Sequence, residues 1–339
     1  RSQHGRARFP GGVDPGRGAP ARAPLRAFFE QVEQRPEWLD EDLLAQGAAA
    51  CHRSGLSGMR GLRDAALMAG YQASAINKTL VLTGSLARGA QRRVAETTKW
   101  WIDVTGFGGM DRFGPGFKAT LQVRLLHATI RHRLAHSRQW HCDEWGLPVN
   151  QTDMAATQLG FSVVFLLASR ALGVPLSAAE GRAVMHLWRY IGWLMGVAPH
   201  WLADTENQGR ILLYHNLLAQ APPDESSKQL GRALMDEPLL RHYPNLAWLR
   251  GRFERARHLS ICRLFMDRQS MRDLGLPAST LPWYPAAATP ANFALQSAGC
   301  LLPGGRRLLQ QRGRRAQVDY LEILFGQTQQ RLASVQVGQ

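Results

Sequence analysis

Lysine is nearly absent from this chain. Lys78, Lys99, Lys118 and Lys228 are its four lysines, so the other 37 of its 41 basic residues are arginine. The formal charge of +15 suggests a nucleic-acid partner at first sight. The arginines are spread along the chain, however, with no lysine cluster and no ladder of alternating basic and aromatic residues. A nucleic-acid partner is therefore not expected. Arginine in this abundance suits bidentate binding of carboxylates and phosphates.

Cysteine is also scarce. Cys51, Cys142, Cys262 and Cys300 lie far apart and form no CxxC pair, which excludes a zinc site or a dense disulfide framework of the usual spacing. One structural disulfide stays open. Long apolar runs are missing as well: the longest, LGFSVVFLLA at 159–168, is followed by Ser169 and Arg170. It is too short to span a bilayer, so no transmembrane segment is expected and a buried core helix is. The chain opens on Arg1 instead of methionine, and an upstream segment carrying any targeting signal is expected.

Strand-like alternation is almost wanting, and no internal repeat is visible. What remains is a 339-residue chain with 45% hydrophobic and 20% charged residues, long enough to bury a large core. Residues 1–25, rich in Gly, Pro and Arg without apolar periodicity, read as a flexible lead-in. Residues 26–339 read as one all-α domain, and as a monomer. Helical periodicity predicts a helix ending at Gly55, then one or two helices ending at the glycines from 106 on. The loop GFGGMDRFGPGF precedes a helix over GFKATLQVRLLHATIRHRLAHS. A long helix is expected over 152–172. Ser177 and Glu180 have the spacing of a capping box, which starts a further helix running to Gly196. More helices are expected at 201–221, 226–235 and 250–271. The Pro-rich stretch LPASTLPWYPAAATP reads as a loop before a last helical stretch ending near Ala333.

The stretch QVRLLHATIRHRLAHS carries three histidines on a helical stripe. At about 100° per residue, Thr120, Val123, Ile130 and Leu134 fall within roughly 60° of His127. His127 thus stands mid-stripe, with Arg124 and Arg131 on one flank. His132 and His136 fall roughly 140–180° away and read as surface residues. Two readings of His127 stay open. It is a core histidine whose nitrogens find hydrogen-bond partners, or it is the single imidazole that holds haem iron, with the flanking arginines reaching the propionates.

Two other helices carry polar groups on faces expected to be buried. Arg93, Glu96 and Thr97 share a side with Leu86, Gly89 and Trp100, supplying a cation, a candidate base and a hydroxyl. Gly89 leaves room there for a flat object. His186 lies near Arg182, Arg189, Tyr190 and Trp193 on one face, as an alternative or second-shell ligand or as a hydrogen-bonded core group.

Taken together, ETTKWWIDVTGFGGMDRFGPGF, QVRLLHATIRH, WGLPVNQTDMAATQLGF and GRAVMHLWRYIGWLMGV resemble the rubber oxygenases, or latex-clearing proteins, of the wider MpaB-type oxygenase family. That family is also described as a domain of unknown function. The resemblance covers roughly residues 60–270 in order. It implies a globin-like, all-helical bundle around a single b-type haem, with His127 as proximal ligand and Arg93 and Thr97 near the distal pocket. His132 matches a second histidine of the family, with a structural role. Where rubber-cleaving relatives can carry a lysine that caps the iron, this chain has Glu96, with Lys99 three positions on. Glu96 then either acts as the base that starts the reaction or pairs with Arg93.

The implied reaction is O2-dependent cleavage of C=C bonds in polyisoprene (rubber), giving an aldehyde and a ketone. Two alternatives stay open: the same haem oxygenase acting on a small terpenoid or another unsaturated lipid, and a non-catalytic haem-binding helical protein. Relatives that attack a solid polymer must be exported, so an extracellular or periplasmic location is expected.

Overall fold

Helix caps written into the sequence set where several of the elements begin. The computed structural model of the protein describes residues 23–83 and 89–326, and every regular element among them is helical. The all-α expectation holds. The chain divides into two units, up to Leu39 and from Asp40 onward. The first contains one described helix, α1 (Ala23–Glu33), which takes in the last residues of the expected lead-in. The rest of the description concerns the second unit.

Helix α2 (Glu41–Gly61) starts at Asp40, whose side chain accepts the Leu43 N–H at 3.1 Å. Gly55 was expected to end it. The helix instead bends there, with Gly55 at φ 52°, and runs on through a wider π-turn at Leu62–Leu67. Tertiary contacts on both flanks explain the continuation. On one side α2 packs against α7 (Ala178–Met195), on the other against α12 (Gly305–Phe325). The approach to α12 is close enough that a Cβ on Gly313 would stand 2.0 Å from the His52 carbonyl oxygen.

Helices α3 (Ser74–Leu82) and α4 (Ala90–Val104) follow, then the expected loop and α5 (Pro115–Ala135). Pro115 opens α5 at its first position, where a missing N–H costs nothing. Helix α6 (Gln151–Ala171) contains a second π-turn at Gly160–Val164, which packs against the first. Among the described residues α6 is the one helix long and apolar enough to cross a membrane, and 56% of its apolar window is buried in the fold. Helix α7 begins with the predicted Ser177–Glu180 capping box and ends at Gly196, at φ 88°.

Helices α8 (Glu206–Ala219), α9 (Glu225–Asp236) and α10 (Ala247–Phe265) come next. The predicted 250–271 segment is interrupted after Phe265, and a short helix Arg268–Asp273 restarts on Asp267 as its cap. The Pro-rich stretch is not a loop throughout. Helix α11 (Trp283–Leu301) begins within it: Pro285 lies in the first turn, where no intrahelical donor is needed, and Pro290 is carried inside the helix. The end of the last expected helix, beyond residue 326, lies outside the described residues. All four cysteines are unpaired, with Cys51 and Cys262 buried.

Candidate cofactor-binding site

Three anchoring residues along one face of α5 fix how that helix is presented. Near its start, Trp100 of α4 donates from Nε1 to Thr120 Oγ1 at 3.2 Å. One turn further, Arg124 Nη1 donates to the Leu194 carbonyl at the end of α7 at 3.0 Å. Beyond that, Arg131 donates from Nε and Nη2 to the Val149 carbonyl, at 3.2 and 2.7 Å. Val149 is a β-branched residue at φ 51°, an unfavourable conformation, and the fork of Arg131 helps hold it. His127 lies between these anchors. Both flanking arginines thus tie α5 to its neighbours, and their remaining N–H groups are what they can offer a ligand.

His127 itself departs from ordinary core behaviour. Its Nδ1 is sealed from solvent and has no hydrogen-bond partner. The other buried histidines are all satisfied. His52 Nε2 meets the Thr105 carbonyl at 2.7 Å, His186 Nε2 accepts the Asp40 N–H at 3.0 Å, and His258 lies between Asp64 and Arg241. Burial, with a further contribution from the Arg131 charge, lowers the His127 pKa to about 4. The ring is therefore neutral at ordinary pH, the form that binds a metal. Of the two readings left open by the sequence, the satisfied core histidine is the one the geometry disfavours.

The helices facing α5 hold an aromatic wall. Trp100 meets Phe161 and Trp188 edge-on, with centroids 5.3 and 5.7 Å apart, and Phe161 stacks on Trp188 at 4.9 Å. Further unsatisfied buried atoms lie on these helices: Trp188 Nε1, and both Nε2 and Oε1 of Gln158. Gln158 lies against Gly192 of α7, where a Cβ would come within 3.1 Å of its side chain. Buried polar atoms without partners are rare and each needs a reason. Those of Trp188 and Gln158, on helices joined by this aromatic wall, suit a group supplied from outside the chain.

On α4, which packs along α5, the three expected distal residues have these partners. Arg93 Nη1 reaches the Tyr71 hydroxyl at 3.4 Å. Glu96 pairs with Arg92 at 2.8 Å, not with Arg93 as one expectation had it, because Arg92 stands one turn before it on the outer flank. Thr97 is exposed. Lys99 is bound to Asp103 at 2.6 Å and so is not free to take over a capping role. Gly89 has open space around it, as expected, and its φ of 86° at the start of α4 also favours glycine. Leu86 lies outside the described residues. His132 and His136 are exposed, with rings 4.5 Å apart, as their place on the helix implies.

No group of three or more His, Cys, Asp or Glu side chains converges among the described residues. A donor set here is of the one-histidine kind, which fits haem better than a bare metal ion. The sequence reading makes the tryptophans and the 159–168 run the lining of an apolar channel, which includes Phe161 and Trp188, but it missed Gln158. It also missed a buried charge network elsewhere. Arg63 contacts Asp64 at 2.7 Å and Glu237 at 3.0 Å, and Glu237 in turn binds Arg241 at 2.7 Å. The one available signal was the charged pair Arg63–Asp64 set inside an apolar helical segment.

Known proteins give the site its context. The family model described as ER-bound oxygenase mpaB/B′/rubber oxygenase, catalytic domain, matches residues 54–296. The rubber oxygenase of Streptomyces sp. (strain K30) is 24% identical over 211 residues, 60% of this chain and 51% of that protein, so the chain spans about half the length of this relative. A solved structure of latex clearing protein LCP in the closed state superimposes with a TM-score of 0.61 at 19% identity, covering 92% of this chain and 82% of the other. That likeness speaks for the fold, and the family match spans α4 to α7, including His127. The protein belongs to the mpaB/B′ and rubber oxygenase family, with residues 54–296 corresponding to its catalytic domain.

Proposed function

We propose that the protein is a haem-dependent dioxygenase that cleaves the C=C bonds of polyisoprene into carbonyl-ended products, with O2 as co-substrate. The observation that carries this reading is His127: a neutral, half-buried imidazole whose Nδ1 is sealed and unsatisfied, inside the family's catalytic domain. The name of the Streptomyces relative supports rubber as the substrate class.

In this reading His127 holds the iron of one b-type haem. Arg124 and Arg131, fixed on the same face of α5, would be the cations that meet the propionates. The cofactor supplies the oxygen chemistry, while the chain sets access, polarity and proton transfer. Arg93 and Thr97 provide donors beside the reacting groups. Glu96 is the base: to take a proton from the substrate its carboxylate must leave Arg92, a largely exposed partner that holds it weakly. The wall of Trp100, Phe161 and Trp188 excludes water. His186, whose Nε2 accepts from Asp40, serves as a positioning residue at the start of α2 and stands next in line as a ligand. The proposal places the protein outside the cytoplasm, extracellular or periplasmic, as a single-domain monomer, because a solid polymer is met there.

Oxygen uptake with dispersed polyisoprene, read together with the carbonyl products by mass spectrometry, tests the proposal. Uptake and a ladder of aldehyde- and ketone-ended oligomers are expected. Uptake on short terpenoids alone would reassign the substrate, and no uptake on either would leave a non-catalytic haem protein.

A further inference from the structure

A small cavity of about 30 Å³ lies away from the aromatic wall, between α2, α4, α10 and α12. Its polar lining is Arg60, Arg63, Thr98, Arg257, His258 and Tyr320, and Val94 of α4 forms part of its apolar side. His258 offers it little, because Nδ1 lies 2.7 Å from Asp64 and Nε2 lies 3.2 Å from Arg241. Leu56, Met59 and Val94 make up much of the wall, and the polar groups left to face the space are guanidinium and hydroxyl.

The charges around it do not balance. Arg60, Arg63, Arg241 and Arg257 stand against Asp64, Glu237 and Glu254, which leaves one positive charge in excess. Asp64, Glu237 and Arg241 are almost wholly enclosed, and Arg63 is 6% exposed. Arg60 and Arg257 both sit over the ring of Tyr284, at 5.6 and 5.3 Å, so two like charges share one aromatic face. Arg257 reaches Glu254, yet its Nε is sealed and without a hydrogen-bond partner. Burial and the nearby Arg60 lower the pKa of Arg257, as expected where a cation lacks compensation. Water in the cavity would meet the hydrogen-bonding need and leave the charge unbalanced. An anion meets both.

We propose that this cavity is a binding site for one small monovalent anion, held by Arg60, Arg63, Arg257 and Tyr320. Size limits the choice. At roughly 10–15 Å³ per water-sized occupant, the cavity takes a halide or a formate-sized carboxylate and excludes phosphate or sulfate. The site is separate from the cofactor face: Val94 and Thr98 turn towards it from α4, Val94 about 100° around the helix from Arg93 and Thr98 about 100° from Thr97.

Thermal unfolding of the full-length protein in sodium chloride or sodium formate, against sodium gluconate at equal ionic strength, tests the site. A saturable rise in Tm with chloride or formate, absent in gluconate and lost in Arg257→Gln, is the expected result. Tyr320→Phe, which removes one donor and no charge, should weaken the apparent affinity several-fold and keeps the test open if Arg257→Gln does not fold. Equal Tm values in the three salts, or an anion effect unchanged in both variants, would overturn the proposal and assign the cavity to water.

Discussion

Arg131 stands one helical turn beyond His127 on α5, and its charge adds to burial in keeping that imidazole neutral while its fork holds the Val149 carbonyl. One side chain thus sets both the protonation of the candidate ligand and the geometry of the chain entering α6. Removing it should separate the two effects. In Arg131→Met the His127 pKa should rise from about 4 but stay below 6.5, because burial is its larger cause. Loss of the charged hydrogen bonds to Val149 should cost about 1.5–3 kcal/mol. Ring-proton NMR titration of the haem-free protein and urea unfolding measure the two.

The same shift fixes a pH dependence. A histidine whose folded pKa lies below its unfolded value binds more protons when unfolded between those two values. Haem-free protein should therefore lose stability as pH falls from 6.5 towards 4, and His127→Leu should flatten that part of the curve. Urea midpoints at several pH values in this window decide it. A wild-type curve no steeper than that of the variant would show that His127 is already charged or exposed.

Glu96 carries the proposed proton transfer, so Glu96→Gln should lower turnover by roughly 10²–10⁴-fold with haem content unchanged. Arg92→Ala should cost less than about 1 kcal/mol of stability, since its side chain is 62% exposed. Steady-state oxygen uptake at matched haem concentration compares the variants. Full activity in Glu96→Gln would reduce the residue to half of a surface ion pair.

The network at Arg63, Asp64, Glu237 and Arg241 should be costly to break at one point. Arg241→Ala leaves Glu237 buried with one cation fewer, and a loss of about 3–5 kcal/mol is expected in chemical unfolding. A loss under about 1 kcal/mol would mean that the buried charges are compensated by solvent or a bound ion.

Much of this fold is legible along the chain, for identifiable reasons. Ser177 with Glu180, and Pro115 at the head of α5, are local signals that need no tertiary contact to act. Gly55 misleads because the helix continues past it only by packing on α7 and α12, elements more than a hundred residues away. Pro285 misleads because a proline in the first turn reads like one in a loop. At the site, His127 shows itself as a polar residue on an apolar stripe. Its lack of a partner does not, since that depends on what α4, α6 and α7 fail to offer it. The Arg63–Glu237 pair joins residues 174 apart in sequence, and no periodicity announces it.

The central claim is that His127 holds haem iron, and the visible absorption spectrum with a pyridine haemochrome assay tests it most directly. For purified wild-type protein the account predicts a Soret band at about one haem per chain, lost or strongly reduced in His127→Ala. Well-folded wild-type protein without haem after reconstitution would contradict it. A Soret band unchanged in the variant would contradict it too, moving the ligand elsewhere, with His186 the first place to look.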